Sequence, residues 1–134
     1  MTVKRKRVLV VDDDAGVRSV IRASVDALLA EAGIRLEEEG TASAAYDRVA
    51  QGERDAWFIV TDNRMPSVGG QPVRDGKDLI CRIRRRAVRA HIIFMSGSEH
   101  RREDVSSIGA DRCLVKPFVF APILEDLRRF LSTD

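Results

Sequence analysis

Cysteine is scarce in this chain: Cys81 and Cys113 are the only two, with no CxxC spacing and no clustered histidines beside them. Neither a disulfide scaffold nor a zinc site is indicated, and two small buried packing thiols are expected. Long apolar runs are missing as well. None approaches the ~20 residues that span a bilayer, and the N-terminus has no apolar signal core, so a cytoplasmic protein without membrane association is expected. A dominant charge sign is also absent, since 23 Lys and Arg stand against 21 Asp and Glu. The formal net charge of +2 gives little reason to expect a direct nucleic-acid partner. The basic runs Lys4-Arg5-Lys6-Arg7 and Arg82, Arg84, Arg85, Arg86, Arg89 read as solvated charge, the first on an N-terminal extension (1–7) and the second on a helix face. No repeat, low-complexity tract or flexible linker divides the chain, and 134 residues fit a single domain over 1–134. The 44% hydrophobic content is enough for one core.

What is present is a regular alternation. Val8-Leu9-Val10-Val11 is a short β-branched run that stops at three aspartates, the pattern of a strand buried on both faces of a parallel sheet. Val17, Val20, Ile21, Val25, Leu28 and Leu29 then recur at helical spacing until Gly33. A weaker strand over 34–39 and a short helix over 43–50 follow. Phe58-Ile59-Val60-Thr61 is a second buried-type strand ending at Asp62, before a Gly- and Pro-rich loop from Asn63 to about Gly76. Leu79, Ile80, Ile83, Ala87 and Val88 describe a helix, and Ile92-Ile93-Phe94-Met95 a strand ending at Ser96-Gly97. A charge-dense helix over 99–108, the strand Cys113-Leu114-Val115 ending at Lys116-Pro117, and a helix over 120–131 complete the pattern. Strands alternating with helices predict βαβ units: an α/β, doubly wound, mostly parallel five-stranded sheet with helices on both faces.

Ligands of such sheets bind beyond the carboxyl ends of the strands. The residues there are Asp12, Asp13 and Asp14, then Asp62, Ser96 and Lys116. If the first and third strands are neighbours, Asp12 and Asp13 face Asp62, and like charges that close need a cation among them. A hard divalent ion such as Mg²⁺, bound through carboxylates, waters and phosphate oxygens, resolves the conflict. Lys116 adds positive charge and Ser96 a donor, a set suited to the oxygens of a phosphoryl group in transfer. Each residue also has a plainer role: the aspartates as a helix N-cap, Asp62 and Ser96 as turn residues, Lys116 as surface charge. Four such groups, each directly after an independently read strand, are hard to obtain as unrelated turn residues.

The ordered text Val8-Leu9-Val10-Val11-Asp12-Asp13-Asp14, Asp62-Asn63-Arg64-Met65-Pro66, Met95-Ser96-Gly97, Gly109-Ala110-Asp111 and Lys116-Pro117-Phe118 resembles the receiver domains of two-component response regulators over almost the whole chain. The resemblance implies a flavodoxin-like strand order 2-1-3-4-5 and a regulatory switch rather than an enzyme. It implies that Asp62 accepts a phosphoryl group from the phosphohistidine of a histidine kinase or histidine phosphotransfer protein. Mg²⁺ would be held by Asp12, Asp13, Asp62 and the backbone carbonyl of Arg64. Ser96 would bond a phosphoryl oxygen, Lys116 would pair with the phosphate, and the bond to Pro117 would be cis. Phosphate lifetime would depend partly on Arg64 and Ser98. The face made by the helix after the fourth strand, the fifth strand and the closing helix would bind a downstream protein, and a homodimer is possible. His91 and His100 read as structural or exposed residues rather than phosphodonors.

Two features depart from the family pattern. The glycine expected eight residues after the acceptor is Gly70 by count or Gly76 by its place before a helix, the latter implying an inserted loop over 67–75. Cys113 stands where an aromatic switch residue is usual, so coupling by ring rotation is not available. Two rival functions remain. One is a receiver-like interaction module that takes no phosphate. The other is a Mg²⁺-dependent phosphatase with an aspartate nucleophile, for which Asp12 and Asp14 have the right spacing; Ala15-Gly16-Val17 supplies no threonine there, and the chain leaves little room for a cap.

Overall fold

The computed structural model of the chain describes residues 5–65, 72–97, 108–116 and 119–133. In chain order the elements are β1 (Lys6–Val11), α1 (Ala15–Ala32), β2 (Leu36–Glu39), α2 (Ala42–Gln51), β3 (Ala56–Asp62), α3 (Gly76–Arg85), β4 (Arg89–Ser96), β5 (Arg112–Val115) and α4 (Ala121–Ser132). The strands form one parallel sheet in the order β2-β1-β3-β4-β5. The order and the α/β class agree with the expectation from sequence. The expected helix over 99–108 lies outside the described residues but for its last position, as do Pro117, His100 and Ser98.

Side chains of a strand alternate between faces, so the apolar runs feed two cores at once. Leu9, Val11, Trp57, Ile59, Ile92 and Phe94 pack against α2 and α3 through Ala45, Val49, Leu79, Ile80 and Ile83. Val8, Val10, Phe58, Val60, Ile93 and Met95 pack against α1 and α4 through Ile21, Val25, Leu29, Ile123 and Leu127. Strand β2 is an edge, and its acidic Glu37-Glu38-Glu39 is covered by arginines from both layers. Arg7 Nη2 reaches Glu37 at 2.6 Å, Arg48 Nη1 reaches Glu37 at 2.8 Å, and Arg18 Nε reaches Glu38 at 3.2 Å. Charge on an exposed edge also discourages pairing with another strand.

Several expectations are corrected. Strand β1 starts at Lys6, so Lys6 and Arg7 are strand residues rather than part of an extension; Arg7 lies over the Trp57 ring, 4.2 Å from its centroid, and pairs with Glu37 and Asp55. The arginines of α3 are not simply solvated. Arg84 donates to the carbonyls of Gly109 and Ala90 at 2.8 and 2.9 Å and pairs with Asp111 at 2.9 Å, and Arg86 pairs with Glu53 at 2.7 Å. A planar guanidinium fork suits such bridging. Cys81 is exposed, because the apolar stripe of α3 runs through Leu79, Ile80 and Ile83 and position 81 falls on the other face. Val88 is buried but not helical: α3 stops at Arg85, and Ala87 turns the chain with φ of 58°.

The N-terminal ends of β4 and β5 are tied to α4 by a buried carboxylate. Asp126 receives bonds from Arg112 Nε and Nη2 at 2.8 and 2.9 Å and meets His91 Nε2 at 2.9 Å. The His91 ring stacks on Phe58 with centroids 5.4 Å apart, which bears out its structural reading. Burial pushes the Asp126 carboxyl up, but the bonds from Arg112 and His91 together outweigh it and leave it below its ordinary value.

Two stability effects are expected. An L-alanine at positive φ is strained, so Ala87→Gly raises the unfolding free energy by about 1 kcal/mol in urea denaturation. Asp126→Asn breaks a buried pair and lowers stability by about 3 kcal/mol at pH 7. Because the folded-state pKa of Asp126 is depressed, its contribution is complete above the unfolded value near 4 and is lost as pH falls through the folded one. The gap between variant and wild type therefore narrows below about pH 4; a gap independent of pH in denaturant titrations argues against this assignment.

Candidate functional site

The carboxyl ends of β1 and β3 lie side by side, with Val11 in register with Thr61, so the residues that follow them meet. A cleft of about 700 Å³ there is lined by Asp12, Asp13, Asp14, Asp62, Asn63, Arg64, Arg74, Asp75 and Lys116, among others. Asp12 and Asp62 are buried, at 1% and 6% exposure, while Asp13 is exposed. One carboxylate oxygen from each of Asp12, Asp13 and Asp62 lies within 4.8 Å of the others, an arrangement able to hold a metal ion. Lys116 Nζ stands 2.9 Å from Asp62 Oδ1 and 3.8 Å from Asp12 Oδ2.

Each group is held from behind. Asp14 is the N-cap of α1, its Oδ1 accepting from Gly16 N–H at 2.8 Å, and the backbone N–H of Asp14 donates to Asp12 Oδ1 at 2.9 Å. The plainer reading of the aspartate run is thus right for Asp14, while Asp12 and Asp13 face the cleft. Arg18, on the first turns of α1, donates to the Asp12 carbonyl and to Glu38, clamping the loop that carries the pair. No local pattern in the sequence singles out Arg18, since its contact depends on β2 lying beside β1. After β3, Asn63 N–H donates to Met95 O at 3.1 Å, and Gly76 N–H returns to Asn63 O at 3.0 Å. A Cβ on Gly76 would come 2.2 Å from the Asp62 carbonyl oxygen. Only glycine fits so close a backbone approach, which sets Gly76 directly beside the end of β3; Gly70 lies outside the described residues. Lys116 N–H donates to Ser96 O at 2.8 Å, fixing the start of its side chain at the end of the sheet.

Ser96 is buried beside this cleft rather than lining it. Its hydroxyl donates to Gly97 O at 3.0 Å and lies 4.0 Å from Cys113 Sγ. Cys113 is half-buried and packs on the core that contains Phe94 and Ile80, in keeping with a packing thiol.

The charges are not balanced. Asp12 Oδ2 is buried and has no hydrogen-bond donor. Burial, together with the neighbouring Asp62 and Asp13, pushes the Asp12 carboxyl up to about 6 against the opposing pull of the Asp14 amide and Lys116. Lys116 is held above its ordinary value, since Asp62 and Asp12 outweigh the effect of its burial. One further positive centre among the three carboxylates would satisfy the orphaned oxygen and relieve the repulsion.

The model of the response regulator receiver domain family matches residues 8–128. The chain belongs to the response regulator receiver domain family. Among solved structures, this receiver domain is similar to a response regulator receiver protein from Pseudomonas putida, with 31% identity, TM-score 0.70, and coverage of 96% of this chain and 99% of that one. It is also similar to the response regulator TrrA from Thermotoga maritima in complex with Mg²⁺-BeF, with 28% identity, TM-score 0.70, and coverage of 92% and 97%. The signal receiver domain of a putative Luxo repressor protein from Vibrio parahaemolyticus shares the fold at 17% identity, TM-score 0.75, with coverage of 96% and 91%. Comparison with the curated proteins gives no match. Receiver domains belong to two-component signalling, partner with histidine kinases, and are typically regulatory phosphoacceptors rather than enzymes. No helix among the described residues is long and apolar enough to cross a membrane.

The buried repulsion gives a stability prediction with a definite sign. A folded-state pKa raised above the unfolded value destabilises the ionised protein, so the penalty at Asp12 grows as pH rises from about 4 to beyond 6. In the absence of divalent cations, Asp12→Asn is therefore expected to raise the thermal midpoint at pH 7.5 by several degrees, on the order of 1–3 kcal/mol. The gain should vanish near pH 4; a variant less stable than wild type at pH 7.5 contradicts the unrelieved charge.

Proposed function

We propose that the receiver domain is a phosphoacceptor switch that takes a phosphoryl group from phosphohistidine onto Asp62. The observation that supports this best is the position of Lys116 Nζ, 2.9 Å from Asp62 Oδ1, beside an acidic cluster whose Asp12 Oδ2 has no donor. Mg²⁺ fits that cluster: it is a hard cation that takes about six oxygen ligands, and Asp12, Asp13, Asp62 and the carbonyl of Arg64 are the groups we assign to it, directly or through water. When bound it supplies positive charge against the oxygens of the transferring phosphoryl group. The TrrA structure, solved with Mg²⁺-BeF, lends the assignment weight.

In the transfer, an Asp62 carboxylate oxygen attacks phosphorus in line while the bond to the imidazole nitrogen breaks, and the imidazole leaves with the electron pair. Lys116 pairs with a phosphoryl oxygen as charge develops. The product places roughly −1.5 to −2 charge where a carboxylate stood. Ser96, now turned onto Gly97 O, is the hydroxyl we assign to rotate toward that charge; since Lys116 N–H is bonded to Ser96 O at the end of β5, the change reaches the sheet edge. Cys113 against Ser96 Oγ takes the place of a swinging ring, so the coupling runs by a small packing shift. The downstream partner is a protein on the face that includes β5 and α4, and a homodimer is one form it can take. The upstream partner is a histidine kinase or histidine phosphotransfer protein. Residues 67–75 are assigned as an inserted loop before Gly76, and the whole chain as one receiver domain. The phosphatase reading loses its second aspartate, because Asp14 is committed to capping α1.

Intact mass after incubation with acetyl phosphate tests the reading. We expect one phosphoryl increment that requires both Mg²⁺ and Asp62 and is absent in Asp62→Asn. No increment, with beryllofluoride also failing to bind, would leave a protein-interaction module on a receiver fold.

A further inference from the structure

The segment leading into α3 carries a cation to the mouth of the acidic cleft, and the chain spends several bonds on keeping it there. Val73 is buried, and its backbone N–H and carbonyl both bond the Ser43 hydroxyl of α2, at 3.1 and 3.2 Å. Arg82 Nη2 holds the Pro72 carbonyl at 2.8 Å. On the other side, Arg74 N–H donates to Asp78 Oδ2 at 3.1 Å, and Asp75 caps α3 by accepting from Asp78 N–H at 2.9 Å. Gly76 N–H is pinned to Asn63 O, one residue from Asp62. The backbone of Arg74 is therefore fixed from both sides, beside the end of β3.

Its side chain is not. The Arg74 side chain is 79% exposed, and among the described residues its guanidinium has one long pairing, Nε to Asp78 Oδ2 at 4.0 Å. This contrasts with Arg82, which holds Asp78 Oδ1 at 3.2 Å and a carbonyl besides. Arg74 lines the same cleft as Asp12, Asp13, Asp62 and Lys116. A rigidly placed backbone bearing a loosely paired guanidinium is suited to a group that must meet an incoming anion, because little has to be broken for it to turn.

We infer that Arg74 is a specificity-determining residue of the phosphoryl site, contacting the oxygens of a small dianionic phosphodonor and of the phosphoryl group as it reaches Asp62. The inference rests on the phosphoacceptor reading and deepens it. With acetyl phosphate, the Asp62 oxygen forms a bond to phosphorus and the bond from phosphorus to the acetyl oxygen breaks; acetate departs with the electron pair and no net proton moves. The guanidinium adds positive charge at the mouth of the cleft that Lys116 also lines.

The test measures phosphorylation rates by intact mass at saturating Mg²⁺ for wild type, Arg74→Gln, Arg74→Lys and Arg85→Gln, the last an exposed arginine of α3 that does not line the cleft. At low ionic strength Arg74→Gln should react with acetyl phosphate about three- to tenfold more slowly, and salt should shrink the difference. Arg74→Lys should keep most of the salt-sensitive part, and Arg85→Gln should match wild type. Beryllofluoride dissociation constants, read by a spectroscopic titration with Mg²⁺, should rise in Arg74→Gln by a similar factor. Equal rates and equal beryllofluoride affinity in Arg74→Gln and wild type overturn the role of Arg74 while leaving the switch intact. An equal loss in Arg85→Gln also overturns it, since net charge rather than position would then be the cause. Wild type that neither gains a phosphoryl group nor binds beryllofluoride removes the phosphoacceptor reading and this inference together.

Discussion

Three carboxylates gathered at one end of a sheet, two of them buried, are a cost that the rest of this structure is arranged to tolerate. Parallel strands in the order β2-β1-β3-β4-β5 bring the ends of β1 and β3 together, and the carboxyl ends of all the strands point the same way. The two apolar layers that cover the sheet leave that end open, so it is where polar groups can gather without unfolding the core. The repulsion is answered only in part. Lys116 takes one oxygen of Asp62, yet Asp12 keeps an oxygen with no donor. An additional positive charge among these carboxylates would relieve the repulsion.

The loops hold this conflict in place with backbone rather than with side chains of the site. Gly76 against the Asp62 carbonyl, Asn63 against Met95, and Lys116 against Ser96 join the ends of β3, β4 and β5 to the start of α3. A change in charge at Asp62 is thus felt by peptide groups that belong to three strands.

Much of this is legible in the order of the residues. Val8 to Val11 and Phe58 to Thr61 are apolar on both faces and end at aspartates, a pattern that in an α/β chain belongs to the buried central strands of a parallel sheet. The position of the acidic cluster follows once β1 and β3 are neighbours. What the residue order hides depends on partners distant in sequence. Cys81 is apolar enough to bury, but the helical phase of Leu79, Ile80 and Ile83 sends it outward. The arginines of α3 resemble solvent charge, because Asp111, Gly109 and Glu53 come near only after folding. Arg18 and Arg74 are hidden for the same reason: each sits beside the site through a neighbour strand or an anchored loop that no local pattern announces. Ser96 falls at the strand end its sequence position predicts, while the contacts of its hydroxyl with Gly97 O and Cys113 Sγ are visible only in the folded chain.

The two ends of the sheet show how the same chemistry serves opposite purposes. At the amino end of β4 and β5, Asp126 is buried and meets Arg112 twice and His91 once, and its carboxyl is held below the ordinary range. At the carboxyl end, Asp12 is buried as deeply, has one backbone donor, and its carboxyl is pushed up to about 6. Burial raises both carboxyls, so the opposite outcomes come from the partners each one meets. Arginine is plentiful in this chain and is used wherever a carboxylate is to be locked, at Asp126, Glu37 and Glu38 alike. At the acidic cleft Asp62 meets a lysine instead, a compact charge that leaves oxygens free, and the nearby Arg74 is loosely paired at the rim among the described residues. The fold locks Asp126 with arginine at one end of the sheet and leaves a buried oxygen of Asp12 without a donor at the other.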